Sequence, residues 1–255
     1  MKKYFYLVMM LLTVGSFTSC IDDKNEDDTK LSFNADIYNR AVNGDNVVFS
    51  LGNAKVEVNN TQMTMQMTAD FKDAGGTTHN VSTTEMKLAL EKGPVYRFSG
   101  AVNGYIDLST LMIWYTIDSG DDAMVYSTTQ LKYPYLTSTV TSEDGNTYTH
   151  TQSGYIFAID SKGQEAMMEI VNYVPDTGGA IQAAALDFSG LTVTPTATGY
   201  KITASEAKCS QSSYYNISDL DISITGNCWN IQGSFKIRNH TYTMSGKLFG
   251  DYINQ

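Results

Sequence analysis

The chain has 255 residues, with 27 Asp and Glu against 17 Lys and Arg, a formal charge of −10. Such acidity repels phosphate backbones and excludes nucleic acid as a partner. With 17 Tyr, only four Pro and many Thr, Val and Ile, the composition fits pleated, half-buried strands rather than helices.

The first twenty residues are unlike the rest. Lys2 and Lys3 form a basic start, Tyr4 to Val14 carry no charge, and Gly15 to Cys20 are mostly small. A run of about eleven apolar residues is too short to cross a hydrocarbon core of roughly 30 Å. It fits the apolar region of a signal peptide over residues 1–19 and is left out of the fold. No later stretch approaches the ~18 apolar residues of a spanning helix. The ending Phe17-Thr18-Ser19-Cys20 resembles a lipobox, and the looser form with Phe17 in place of the commoner Leu resembles those of Bacteroidetes lipoproteins. The resemblance implies cleavage before Cys20 and attachment of acyl chains of the palmitate kind to it. At roughly 0.8 kcal/mol per buried CH₂, several chains anchor a protein almost permanently without its spanning the membrane. An ordinary cleaved secretory signal followed by a coincidental Cys is the alternative.

Residues 20–30 hold five acids and few apolar side chains, which cannot bury enough surface to offset ordering, so they read as a flexible tether. Acidic residues just after the modified Cys resemble the signal that sends Bacteroidetes lipoproteins to the outer cell surface. The expected location is the outer membrane, facing outward, with the periplasmic face as the alternative. Loss of Lys2 and Lys3 with the signal makes the mature chain more acidic still.

The mature body of about 225 residues suffices for one large β domain or two small ones. Period-2 alternation dominates it. Met63, Met65, Met67, Ala69 and Phe71 share one face of a strand, and Met86, Leu88 and Leu90 alternate likewise, as do Ile222 and Ile224, Phe235 and Ile237, and Tyr242 and Met244. A Met stripe at this spacing is core, not a sulfur ligand set. Gly52-Asn53, Asp144-Gly145-Asn146, Gly226-Asn227 and Arg238-Asn239-His240 read as hairpin loops, and Asp73 to Gly76 and Asp176 to Gly179 as further turns. The expectation is an all-β, antiparallel meander forming small barrels or a sandwich.

Echoes run through the chain at offsets of 101 to 110 residues. Met65 and Met67 match Met167 and Met168, Tyr96 to Ser99 matches Tyr200 to Thr203, and Tyr105 to Leu108 matches Tyr215 to Leu220. They point to a duplicated β unit, one covering 31–125 and the other 126–255. Within the second, GYKITASEAK and the run from Tyr214 to Leu248 resemble the endings of calycin-like, lipocalin-like domains in Bacteroidetes lipoproteins. That resemblance implies small antiparallel barrels or half-open sandwiches of uncharacterised function, and it carries over no binding residue.

Cys209 and Cys228 remain after Cys20, and an oxidising compartment allows them to pair. If strands near 199–209, 215–225 and 228–237 form a simple meander, however, the two sit a strand length apart, roughly 30 Å against a Cα limit of ~7 Å. A crossing 210–216 loop would bring them together, and both outcomes stay open.

No motif carries catalysis, a cofactor or a metal. His79, His150 and His240 are far apart in sequence and read as exposed loop or strand residues, and neither a zinc spacing nor a nucleophile elbow is present. Asp118, Asp121 and Asp122 form an acidic loop without the spacing of a calcium site. Glu85, Glu91, Asp107, Glu143, Asp160 and Asp187 are scattered. The aromatics Trp114, Tyr115, Tyr126, Tyr133, Tyr135, Tyr148, Tyr155, Tyr214, Tyr215 and Trp229 fill a β core or, where exposed, stack on sugars or anchor a protein. Three readings follow. The first is a non-enzymatic, lipid-anchored binding protein capturing a glycan or other ligand. The second is an interaction subunit of a surface protein assembly. The third is a hydrolase with carboxylates from distant strands, about 5–10 Å apart.

Overall fold

The computed structural model describes residues 30–120, 123–128, 131–160, 162–175 and 180–250, with the backbone alone at 119–120 and 123–128. The expected signal segment, Cys20, all of the tether but Lys30, Asp121, Asp122 and the Asp176–Gly179 turn lie outside the described residues. The fold is all-β and antiparallel, and its strands fall into two sheets that divide the chain after Thr128. The boundary expected between 125 and 126 therefore falls inside a strand.

The first sheet holds β1 (Lys30–Asn43), β2 (Asn46–Asn59), β3 (Thr64–Lys72), β4 (Thr78–Ser82), β5 (Met86–Lys87), β6 (Ala89–Lys92), β7 (Val95–Phe98), β8 (Asn103–Asp107), β9 (Met112–Gly120) and β10 (Ala123–Thr128). Its neighbours run in a ring. The chain meanders from β1 to β4 along one side and from β6 to β10 along the other, and β10 pairs with β1. The ring is completed at 78–92, where β4 and β5 pair with β3 while β6, one residue beyond β5, pairs with β7. Counting that segment as one bent strand, the ring has eight members in chain order.

The second sheet holds β11 (Leu131–Tyr133), β12 (Thr137–Thr141), β13 (Thr147–His150), β14 (Gly154–Ile159), β15 (Glu165–Tyr173), β16 (Ala183–Thr196), β17 (Gly199–Ala207), β18 (Ile217–Thr225), β19 (Asn230–Ile237) and β20 (His240–Lys247). The same register holds on both sides of the crease, Leu131↔Phe157 to Tyr133↔Tyr155 and Ser138↔His150 to Thr141↔Thr147, so β11–β12 and β13–β14 are the two arms of a single kinked hairpin. β15 to β20 continue the meander and β20 returns to β12. This too is an up-and-down ring of eight. The sequence echoes fall on strands with the same place in each ring: β3 and β15 are third, β7 and β17 fifth, β8 and β18 sixth.

Alternation explains the packing. In β3 Met65, Met67, Ala69 and Phe71 are buried and the alternate residues Gln66, Thr68 and Asp70 are exposed. They join Ile37, Val56, Phe98 and Ile106 in the core of the first ring. The second core gathers Phe157, Phe188, Ile202, Ile222, Phe235 and Tyr242 with their neighbours. β9 serves both, because successive side chains of a strand point to opposite faces. Ile113, Tyr115 and Ile117 enter the first core, whereas Met112 and Trp114 enter the second.

Two expectations are corrected here. Gly52-Asn53 is no loop: both residues lie inside β2, opposite Ile37 and Asp36, and the hairpin turns at Gly44-Asp45. Gly52 answers a close approach, since a Cβ there would stand 2.5 Å from the Asp70 carbonyl and 2.8 Å from Asn39 Nδ2. Leu90 does not share the buried face of Met86 and Leu88 but is 63 % exposed. The chain passes there from β3 to β7, and β6 carries a register shift between Leu90 and Lys92.

Candidate functional site

The aromatics named from the sequence separate by burial. Trp114, Tyr115, Tyr133, Tyr155 and Trp229 are buried, Tyr148 and Tyr215 are half-buried, and Tyr135 and Tyr214 are exposed; the Tyr126 side chain lies outside the described residues. Trp114 and Trp229 join the two rings, their centroids 5.3 Å apart, with Tyr105 and Phe249 at 5.3 and 6.0 Å from Trp229. Trp114 Nε1 donates to the Asn227 carbonyl at 3.3 Å. Beside them, fully buried Arg40 donates to the Thr196 carbonyl, and Phe49 packs on Tyr200 with centroids 5.1 Å apart.

Where this junction meets the surface, a cleft of about 280 Å³ opens, with a mostly apolar lining that includes polar groups. One wall is the β8–β9 turn of the first ring, Asp107 to Met112, together with Pro94. Asp107 shapes it, accepting from Ser109 N at 2.8 Å, Ser109 Oγ at 2.7 Å and Thr110 N at 3.2 Å. Leu108 N donates to the Pro94 carbonyl at 3.0 Å.

The other wall is a crease in the second ring. Along β11–β12 the buried residues are Leu131 and Tyr133, then Leu136, Ser138 and Val140, a slip of one residue at Pro134-Tyr135. The partner arm slips between His150 and Ser153, and β15 slips at Asn172, between Ile170 and Tyr173. Ser153 Oγ donates to the Asn172 carbonyl at 2.8 Å, and Leu136 N to the Ser153 carbonyl at 3.0 Å, so the slips lie side by side. Bulges of this kind re-aim side chains, and this one turns Tyr135 out to 57 % exposure.

Backbone strain gathers at the same place. Tyr135 (φ 53°), Asn172 (φ 56°) and Phe249 (φ 62°) line the cleft, and Leu111 (φ 57°) lies between two residues that do. Non-glycine residues in this region cost of order 1–3 kcal/mol each and cluster at binding sites.

Other groups do not converge. His79 binds Asp73 at 2.8 Å in a hairpin. His150 is not exposed as expected but buried, because the slipped arm turns it inward, and burial lowers its pKa. Among the described residues no three His, Cys, Asp or Glu are placed to hold a metal ion. Asp187 stands opposite Glu169 across β15 and β16. Burial first, and then the Asp187 charge, raise the pKa of the Glu169 carboxyl, with Lys132 pulling the other way. This pairing was not legible in the sequence, since no spacing links the two strands.

Cys209 and Cys228 are both free thiols and buried, Cys209 just past β17 and Cys228 in the β18–β19 turn. The nine residues of β18 separate them by roughly 30 Å at ~3.3 Å per residue. The 208–216 segment stays at its own end, where Cys209 bridges Phe188. Cys228 is held among Tyr133, Tyr200 and Arg40, and burial pushes its pKa up to about 12.

No protein-family model and no curated protein matches the chain. Among solved structures, the isotype 1 transferrin binding protein B of serogroup B Neisseria meningitidis aligns over 86 % of this chain and 75 % of its own, at 7 % identity and a TM-score of 0.25. A likeness that low carries neither fold nor ligand to this chain.

Proposed function

We propose that the protein is a non-enzymatic binding protein, anchored by lipid on Cys20 to the outer membrane and facing outward, whose ligand site is the cleft between the two rings. The observation that carries the reading is the crease, which takes one aromatic out of the core and sets it at the mouth of a half-apolar cavity between packed bodies. Small-ligand sites favour such junctions, with a few polar groups on an apolar lining. An exposed aromatic beside amides and hydroxyls suits a sugar ring, and the cavity is sized for one or two rings.

Both halves of the proposal are testable. Cys20→Ser should release the protein from the membrane fraction and abolish acyl labelling; unchanged fractionation would remove the anchor. For the cleft, Phe249 lines the cavity and touches Trp229, which touches Trp114. Since the chain holds two Trp in all, a glycan screen read by Trp fluorescence reports on this junction. A saturable signal lost in Tyr135→Ala supports the site, and a hit indifferent to Tyr135 places binding elsewhere.

A second reading, an interaction subunit, rests on the opposite end of the second ring. There the Arg238 guanidinium lies over the exposed Tyr214 ring at 4.3 Å from its centroid, an Arg–Tyr pair typical of protein contacts. Cross-linking on intact cells, compared with Tyr214→Ala, tests it.

A further inference from the structure

We infer that the cleft takes an acidic sugar, a hexuronic acid, with its carboxylate on Lys132 and its ring on Tyr135. The inference rests on the cleft being the ligand site. Its lining includes two ionisable groups of opposite charge, Asp107 and Lys132, and they differ in what they offer. The Asp107 carboxylate is buried and its Oδ1 receives three hydrogen bonds from its own turn, so that oxygen is committed to shaping the wall. Lys132 is half-buried, and among the described residues no carboxylate lies within ion-pair distance of it. Its nearest acidic neighbour across the strands is Glu169, itself facing Asp187. The cleft therefore presents a cation, in a chain whose net charge is −10.

That contrast limits the ligand. A protein this acidic does not collect anions by its long-range field, so an anion must be held by contact. Apart from Lys132 the cavity offers the flat Tyr135 ring, the apolar faces of Pro94, Val171 and Phe249, and polar groups at Thr110 and Asn172. Ring stacking, hydroxyl hydrogen bonds and one charge-assisted bond together match a sugar carrying a carboxylate. A neutral sugar would forgo the charge-assisted bond to the ammonium, which feels only the Glu169 carboxyl beyond ion-pair distance, at a cost in affinity.

The test is calorimetric titration of the full chain in a sugar-free detergent with galacturonate, glucuronate, galacturonate methyl ester and galactose. The expected result is binding of a uronate at least tenfold tighter than of the methyl ester or galactose, with Lys132→Met removing that preference and Tyr135→Ala removing binding of all four. Trigalacturonate, titrated alongside, tells a free monosaccharide from the end of a polymer by whether added rings raise affinity. Equal binding of acid and neutral sugars, or an unchanged preference in Lys132→Met, overturns the acidic ligand while leaving the cleft in place. No heat with any of them, in a protein whose melting temperature matches that of the untreated chain, overturns the cleft reading as well.

Discussion

Trp114 of the first ring and Trp229 of the second meet edge to face, with centroids 5.3 Å apart and planes inclined by 64°. Trp114 reaches this position because β9 alternates: Ile113, Tyr115 and Ile117 fill its own ring, and Met112 and Trp114 are left for the neighbour. The contact ties the two rings into a shared core, and cooperative unfolding should depend on it. Trp114→Ala should cost about 3–5 kcal/mol, as large-to-small aromatic changes in cores do. Scanning calorimetry should also resolve one transition into two, since the rings would no longer unfold together. A single transition with an unshifted midpoint would mean that other contacts, such as Arg40 to Thr196, couple them.

Two glycines with different reasons for being glycine allow a paired comparison. Gly52→Ala places a methyl 2.5 Å from the Asp70 carbonyl, inside a three-strand crossing that cannot shift cheaply. It should cost about 1–3 kcal/mol, the range for overpacking. Gly44→Ala meets nothing within 4 Å but must hold φ +57°, for a loss of about 1 kcal/mol. Urea denaturation measures both, and an equal or smaller loss at Gly52 would remove the close-approach argument.

The two cysteines should behave as thiols. In denaturant, a thiol reagent should titrate two groups in the lipidated protein, Cys209 and Cys228, and in the native state Cys228 should react far more slowly than a free cysteine. Its thiol is buried and its pKa is pushed up to about 12, so little of the reactive thiolate is present at neutral pH. A count of zero in denaturant would mean a disulfide.

Alkali should unfold the protein. Burial raises Cys228 from 9.0 to about 12 and Tyr155 from 10.0 to about 12, and carries Tyr133 and Tyr200 well above 10.0. In each case the unfolded state loses its proton first, so stability is intact below pH 9 and falls as pH rises through 9 to 12. Each group adds up to about 1.4 kcal/mol per pH unit once its unfolded form ionises. Denaturant midpoints from pH 8 to 11 should be level to about 9 and then drop with increasing steepness. A midpoint independent of pH over that range would show that these groups titrate alike in both states.

Much of the architecture was readable without coordinates. Strand identity and face follow from a period of two, which is a local property, so the Met65, Met67 and Phe71 stripe and the Ile222 and Ile224 pair are buried as their spacing requires. Turn chemistry placed the hairpins at Asp144-Gly145-Asn146 and Gly226-Asn227. The reading failed where a residue answers to something distant in sequence. Gly52 looked like a turn but is a crossing point for Asn39 and Asp70, and Leu90 lost its buried face where one strand passes between two partners.

The cleft belongs to the same class. A slip in alternation at Pro134-Tyr135 is visible in the sequence, with Leu131 and Tyr133 on one phase and Leu136 and Val140 on the other, and that signal could have singled out Tyr135. Nothing local says that the slips near His150 and at Asn172 lie beside it, or that the Asp107 turn of another ring stands opposite. Period and turn chemistry act over a few residues, so the chain by itself determined that it would form strands, most of the places where it would reverse and most of the side chains that would be buried. Register, ring closure and the meeting of two rings depend on pairings a hundred residues apart, and tertiary structure alone decided that an aromatic, a lysine and a strained crease share one opening.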